Sequence, residues 1–188
     1  MSTFIGKLKE QAASILADNP KYDAGWVDVA ADILTKYVDY DEEFLAKFTA
    51  EQLTLVKQVL DQYSSDLQFV NMVINPELNL TQMQIAISAK SNNVSNEWIT
   101  VLTNPKLHYV KANYIAQGMT EGFNLTEIID VFKFDCDQIY EIFAGIKSNI
   151  NYKMYCDVNI PAEKMGIIRH ALQLGLEVHF ENGSIYCF

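Results

Sequence analysis

Apolar residues in this chain recur at steps of three and four within short segments, and the segments themselves recur. The clearest is Ile160 to Phe180, IPAEKMGIIRHALQLGLEVHF, in which Met165, Ile168, Leu172 and Leu176 share one helical face. Gly175 offers a helix stop, and Val178 and Phe180 then alternate with Glu177 and His179 in a strand-like period. With Met165 as key position, Val27, Leu53, Met83, Ala112 and Ile139 are matching keys upstream, at successive spacings of 26, 30, 29, 27 and 26. Five residues before each key stands an apolar anchor: Tyr22, Phe48, Leu78, Leu107, Phe134 and Ile160. Three after it stand Ala30, Val56, Ala86, Ile115, Ile142 and Ile168, and six after it only small or apolar residues. One step further on, Lys90 is the one polar intruder in an otherwise apolar column that includes Leu172.

The polar positions keep the same register. Asp23, Thr49, Asn79 and Asp135, four before the key, are N-cap residues, and Gln52, Gln82 and Gln138 complete capping boxes. His108 and Pro161 break this column. Asn-Pro at 19–20, 75–76 and 104–105 precedes an anchor and ends the helix before it. Second segments lie between the repeat helices at 66–74, 96–102 and 125–133, with Ile128, Ile129 and Phe132 on one face of the third. The polar run Ser91 to Asn96 reads as a flexible loop. Asn182-Gly183 between apolar runs signals a β-hairpin, and Tyr152 to Val158 suits a third strand. The predicted fold is therefore mainly α: one domain over 1–188, of stacked helix–turn–helix repeats of about 26–30 residues. A capping helix is expected at 1–18, repeats at 19–175, and a β-hairpin cap at 176–188.

The segment EKMGIIRHAL…GLEV resembles a short tandem repeat of proteins from Firmicutes mobile elements and phages. Glu163, Met165, Ile168, Arg169, Leu172, Gly175, Leu176 and Val178 carry the resemblance; Lys164, Ala171 and the early Phe180 depart from it. Asp137-Gln138-Ile139 and Gly145-Ile146 match in part. The resemblance implies a mobile-element origin and a structural or interaction role.

Charge changes the picture more than composition does. The 188 residues are 49% hydrophobic, as a globular chain is, but carry a net charge of −10 and a single arginine, Arg169. Direct nucleic-acid binding needs a basic face to displace counterions, and none is present. No apolar run is long enough to span a bilayer, and no signal-like segment opens the chain, so the expectation is a cytoplasmic protein with no membrane association. Cys136, Cys156 and Cys187 are scattered, without zinc-motif spacing, and are expected as buried thiols. His108, His170 and His179 have no ligand spacing among themselves, and no phosphate loop or nucleophile elbow occurs. Asp137 and Glu141, one turn apart, suit the acidic first turn of a helix better than a cation site. No cofactor, no metal and no enzymatic activity are expected.

The expected function is that of a non-enzymatic acidic inhibitor from a phage or mobile element. It would block the basic groove of a nucleic-acid-handling host protein, such as a CRISPR nuclease, by nucleic-acid mimicry. Asp39, Asp41, Glu42, Glu43, Asp130, Asp135, Asp137 and Glu141 are the candidate phosphate mimics, with Tyr40 an adjacent anchor. Reversing Asp41, Glu42 and Glu43 to lysine is expected to slow association without unfolding. The alternative is a scaffold that holds peptides in a groove lined by Tyr63, Trp98, Tyr109 and Tyr140.

Overall fold

The computed structural model describes Glu10, Ala13, Ser14 and residues 22–37, 39–181 and 184–188. Glu10, Ala13 and Ser14 are helical; the rest of the 1–18 helix and the Asn182-Gly183 turn lie outside the described residues. The chain is mainly helical and forms two compact units, Met1–Pro105 and Lys106–Phe188.

Within the first unit, α1 (Ala24–Lys36), α3 (Ala50–Tyr63) and α5 (Leu80–Ser91) are the long repeat helices; α2 (Glu42–Leu45), α4 (Leu67–Val73) and α6 (Asn96–Leu102) are the short returns. α3 packs against both α1 and α5, while α4 packs against α6. The second unit repeats the scheme. α9 (Cys136–Lys147) lies between α7 (Tyr109–Glu121) and α10 (Ala162–Gln173), with α8 (Leu125–Ile128) and a 3-10 turn at Tyr152–Met154 as returns. After α10 the return is extended: β1 (Val178–Glu181) pairs antiparallel with β2 (Ser184–Cys187), Val178 opposite Cys187, and β1 packs on α10.

The repeat register is the core register. All six keys are at most 6% exposed, and the six residues three positions on are fully buried. The column six after the key is buried too. At Gly145 and Gly118 that column has no room for a side chain: a Cβ would stand 1.8 Å from the Tyr155 hydroxyl and 2.8 Å from the Phe123 ring. Leu34, Ile146 and Leu172 are only half-buried, so the face narrows toward its edge. Lys90 fits that edge because its ammonium reaches Asp66 at 2.6 Å and Asn96 at 2.7 Å, over the Phe69 ring.

Caps delimit the helices as the polar column predicts. Thr49/Gln52, Asn79/Gln82 and Asp135/Gln138 form reciprocal capping boxes, and Asp23 caps α1. His108 also caps, through its ring: Nδ1 accepts from the Val110 N–H at 3.3 Å. Pro161 offers no side-chain acceptor, as expected. Four of the six long helices also end alike. Ten residues after the key, Asn93, Gly122, Asn149 and Gly175 all have positive φ. The next N–H then reaches back to the carbonyl five residues earlier: Val94 to Ala89, Phe123 to Gly118, Ile150 to Gly145 and Leu176 to Ala171, at 2.9–3.1 Å. These are Schellman closures, which satisfy carbonyls the helix leaves free.

In five of the six repeats the residue just before the key donates to a backbone carbonyl beyond its own helix, within its own unit. Trp26 donates its indole N–H to Phe48 O at 3.1 Å, and Gln52 its amide to Leu78 O at 2.8 Å. Gln82 donates to Asn104 O, and Lys111 to Val131 O and Phe134 O. Gln138 donates to Val158 O and to Ile160 O at 2.8 Å. Phe48, Leu78, Phe134 and Ile160 are the anchors of the following repeats. A glutamine suits both tasks: its Oε1 accepts from the cap residue's N–H while its Nε2 crosses to the neighbour.

Several expectations are corrected. Residues 152–158 form no strand; they make a 3-10 turn that sends Tyr155 fully into the core, its hydroxyl donating to Glu141 O. The 125–133 segment is helical only to Ile128, and Phe132 is half exposed, because the Ile129 backbone is extended and a turn follows. Ser91 to Asn96 is no loose loop: it holds the end of α5, the Asn93–Val94 closure with Val94 buried, and the Ser95 cap of α6. The thiols are not buried: Cys136 and Cys156 are half-buried and Cys187 is exposed, all three free.

Candidate protein-binding surface

The acidic positions singled out in the sequence fall into one group in each unit. In the first unit, the turn after α1 presents Asp39 and Tyr40, and α2 follows at once. Asp41 is the N-cap of α2, accepting from the Phe44 N–H at 2.8 Å; this carboxylate holds the helix start. Glu42 and Glu43 occupy the first turn, where negative charge complements the helix dipole, and both point to solvent. Glu42 also accepts from the Tyr22 hydroxyl. Tyr40, Phe44 and Phe48, interleaved with these acids in sequence, contact one another as a tilted and an edge-on ring pair, with centroids 5.7 and 5.4 Å apart. Burial first, then the Asp39 charge, raises the Tyr40 hydroxyl above the ordinary phenol range. Tyr40 thus stays protonated and offers an apolar flank with a donor at its tip.

The wider surroundings are acidic as well. From Tyr22 to Asp66 the chain carries ten carboxylates and three lysines. Two of the lysines are spent on the α1–α3 contact: Lys36 pairs with Asp61, and Lys57 bridges Asp32 and Asp61. Lys36 and Tyr37 together hold the Asp61 carboxyl far below the usual carboxylate range. Asp39, Glu43 and Glu51 are exposed, with no ion pair among the described residues.

In the second unit the four acids serve different ends. Asp130 accepts from the Phe132 N–H and pairs with Lys133, which shapes the turn before α9. Asp135 caps α9, accepting from the Gln138 N–H at 2.7 Å. Asp137 is exposed on the first turn. Glu141 faces inward: it holds Arg169 at 2.6 Å, with both side chains at most 19% exposed. This pair ties α9 to α10 and leaves Glu141 little surface to offer a partner. Among the described residues no group of three or more histidine, cysteine or acidic side chains is disposed to hold a metal.

The aromatics considered for a peptide groove divide between the two units. Tyr63 is half-buried edge-on to Phe69, its hydroxyl at Ser91, and Trp98 is half-buried on α6. Tyr109 and Tyr140 are exposed in the other unit, where Tyr140 leans on Tyr114 and Tyr114 on Phe143.

No family model, curated protein or solved structure matches the chain. No helix among the described residues is long and apolar enough to cross a membrane.

Proposed function

We propose that this protein is a non-enzymatic inhibitor that lays the acidic surface around α2 into the basic groove of a nucleic-acid-handling protein. The observation that carries the reading is the arrangement at α2: exposed Asp39, Glu42 and Glu43 on the same short segment as the contacting rings of Tyr40, Phe44 and Phe48. Clustered exposed carboxylates speed encounter with a positive groove, and an adjacent ring that loses water on docking supplies affinity. The mobile-element resemblance makes a host defence protein, such as a CRISPR nuclease, the partner class. In this reading the repeat core is scaffold, and α2 is the element it displays.

The test is inhibition of nuclease cleavage by the purified protein, with binding followed across a salt series. Micromolar inhibition at low salt that weakens steeply as salt rises supports the proposal, since exposed charges are screened over about 8 Å at physiological ionic strength. Binding that is indifferent to salt, or absent across several defence nucleases of one host, removes it.

A further inference from the structure

The thiol of Cys136 is not alone. It stands at the first position of α9, and its Sγ lies 3.5 Å from Nδ1 of His108, the residue that caps α7. The two are 28 residues apart in the chain, and the repeat brings them together: His108 occupies the cap column of one copy and Cys136 the first helical position of the next. Asp23, Thr49, Asn79, Asp135 and Pro161 hold the same cap column elsewhere, so an imidazole appears in it only here.

The hydrogen bonds fix the direction of proton flow. A backbone N–H can only donate, so the Val110 N–H makes Nδ1 an acceptor and puts the ring proton on Nε2. The Cys136 S–H is then the donor to Nδ1. Around the sulfur, the dipole of α9 favours negative charge, with the Gln138 N–H already taken by the Asp135 carboxylate. Lys111, on α7, lies nearby with its ammonium on Phe134 O, and Asp135 and Asp137, flanking Cys136, oppose negative charge. Tyr109 stands beside His108, with ring centroids 4.6 Å apart, and Tyr114 lies on α7 against Tyr140 of α9. His108 and Tyr109 are exposed and Cys136 is half-buried, so the Sγ–Nδ1 contact lies at the surface.

We propose that Cys136 and His108 form a thiol–imidazole pair that makes mixed disulfides with low-molecular-weight disulfides. In the step, the thiol proton passes to Nδ1 and the sulfur attacks one sulfur of the disulfide. A new S–S bond forms, the old one breaks, and the departing thiolate takes the proton from the imidazolium. The disulfide is the only co-reactant, and one bond is exchanged for another. Burial raises the Cys156 thiol above its usual range, and neither Cys156 nor Cys187 makes a hydrogen bond to a histidine among the described residues, so both are replaced in the test.

The experiment uses full-length protein carrying Cys156→Ser and Cys187→Ser, with 4,4′-dithiodipyridine as probe at pH 6.5. Folded Cys136 should react at least about ten-fold faster than the same chain in urea, where a free thiol is only about 1% thiolate. Adding His108→Asn keeps a capping side chain but removes the base, and should return the rate to that of the unfolded chain while circular dichroism stays unchanged. A folded rate no faster than the urea rate overturns the proposal, and so does a fast rate that survives His108→Asn.

Discussion

Gly145 shows how far single residues are fixed. Its missing side chain is the space the Tyr155 hydroxyl occupies, and burial pushes that phenol up to about 12. Gly145→Ala should force the ring out and cost at least about 1–3 kcal/mol, the range for overpacking, read as a fall in the urea midpoint. On the same reasoning Ile168→Ala should cost about 2–5 kcal/mol, since Ile168 is fully buried. Leu172→Ala should cost clearly less, because Leu172 is half-buried. Equal losses at the two positions would contradict the face described. Asp66 makes a pH prediction. Lys90 first, then the Phe69 N–H and Asn96, hold its carboxyl at about 2. A depressed carboxyl stabilises the fold above its unfolded value of about 4, and that contribution is lost as pH falls toward 2. Asp66→Asn should therefore flatten the dependence of the urea midpoint on pH between 4 and 2.

At the scale of elements, sequence reading fared best where one residue type has one use. Apolar keys and Asp, Thr or Asn caps were legible because burial and capping select narrow sets of side chains. The crossing bonds from the position before the key were not. Trp26, Gln52, Gln82, Lys111 and Gln138 share no polarity or shape, only a donor of suitable length. The αL closures were half hidden for a related reason: Asn93 and Asn149 do what Gly122 and Gly175 do, and only glycine announces it. Residues 152–158 misled because alternation of apolar and polar positions also fits a turn whose single buried ring, Tyr155, anchors it. The His108–Cys136 pair was invisible as a motif, yet its separation of 28 lies within the repeat spacing. The crossing bonds predict a specific order. Gln138→Met keeps the length but strips the Val158 and Ile160 carbonyls of their donor, costing about 1–3 kcal/mol. Gln138→Glu places a carboxylate against those carbonyls and should cost more at pH 7, measured by urea denaturation.

For the molecule as a whole, the acids divide by employment. Asp41 and Asp135 cap helices, Asp130 holds a turn, and Glu141 is paired with Arg169; Asp39, Glu42, Glu43 and Asp137 are the exposed remainder. Composition alone did not separate these groups, because a carboxylate at a helix start looks the same whether it caps or projects. The division also alters the expected charge-reversal test: reversing Asp41 would remove a cap worth about 1 kcal/mol and mix stability with binding. Asp39→Lys, Glu42→Lys and Glu43→Lys together leave the cap in place. The decisive measurement is cleavage by a CRISPR nuclease in the presence of the parent protein or this triple variant, at low salt, with both proteins shown folded by circular dichroism. The account predicts inhibition by the parent, and loss of at least about ten-fold in potency for the variant, with the deficit in association rate. Equal potency of the two proteins would contradict it.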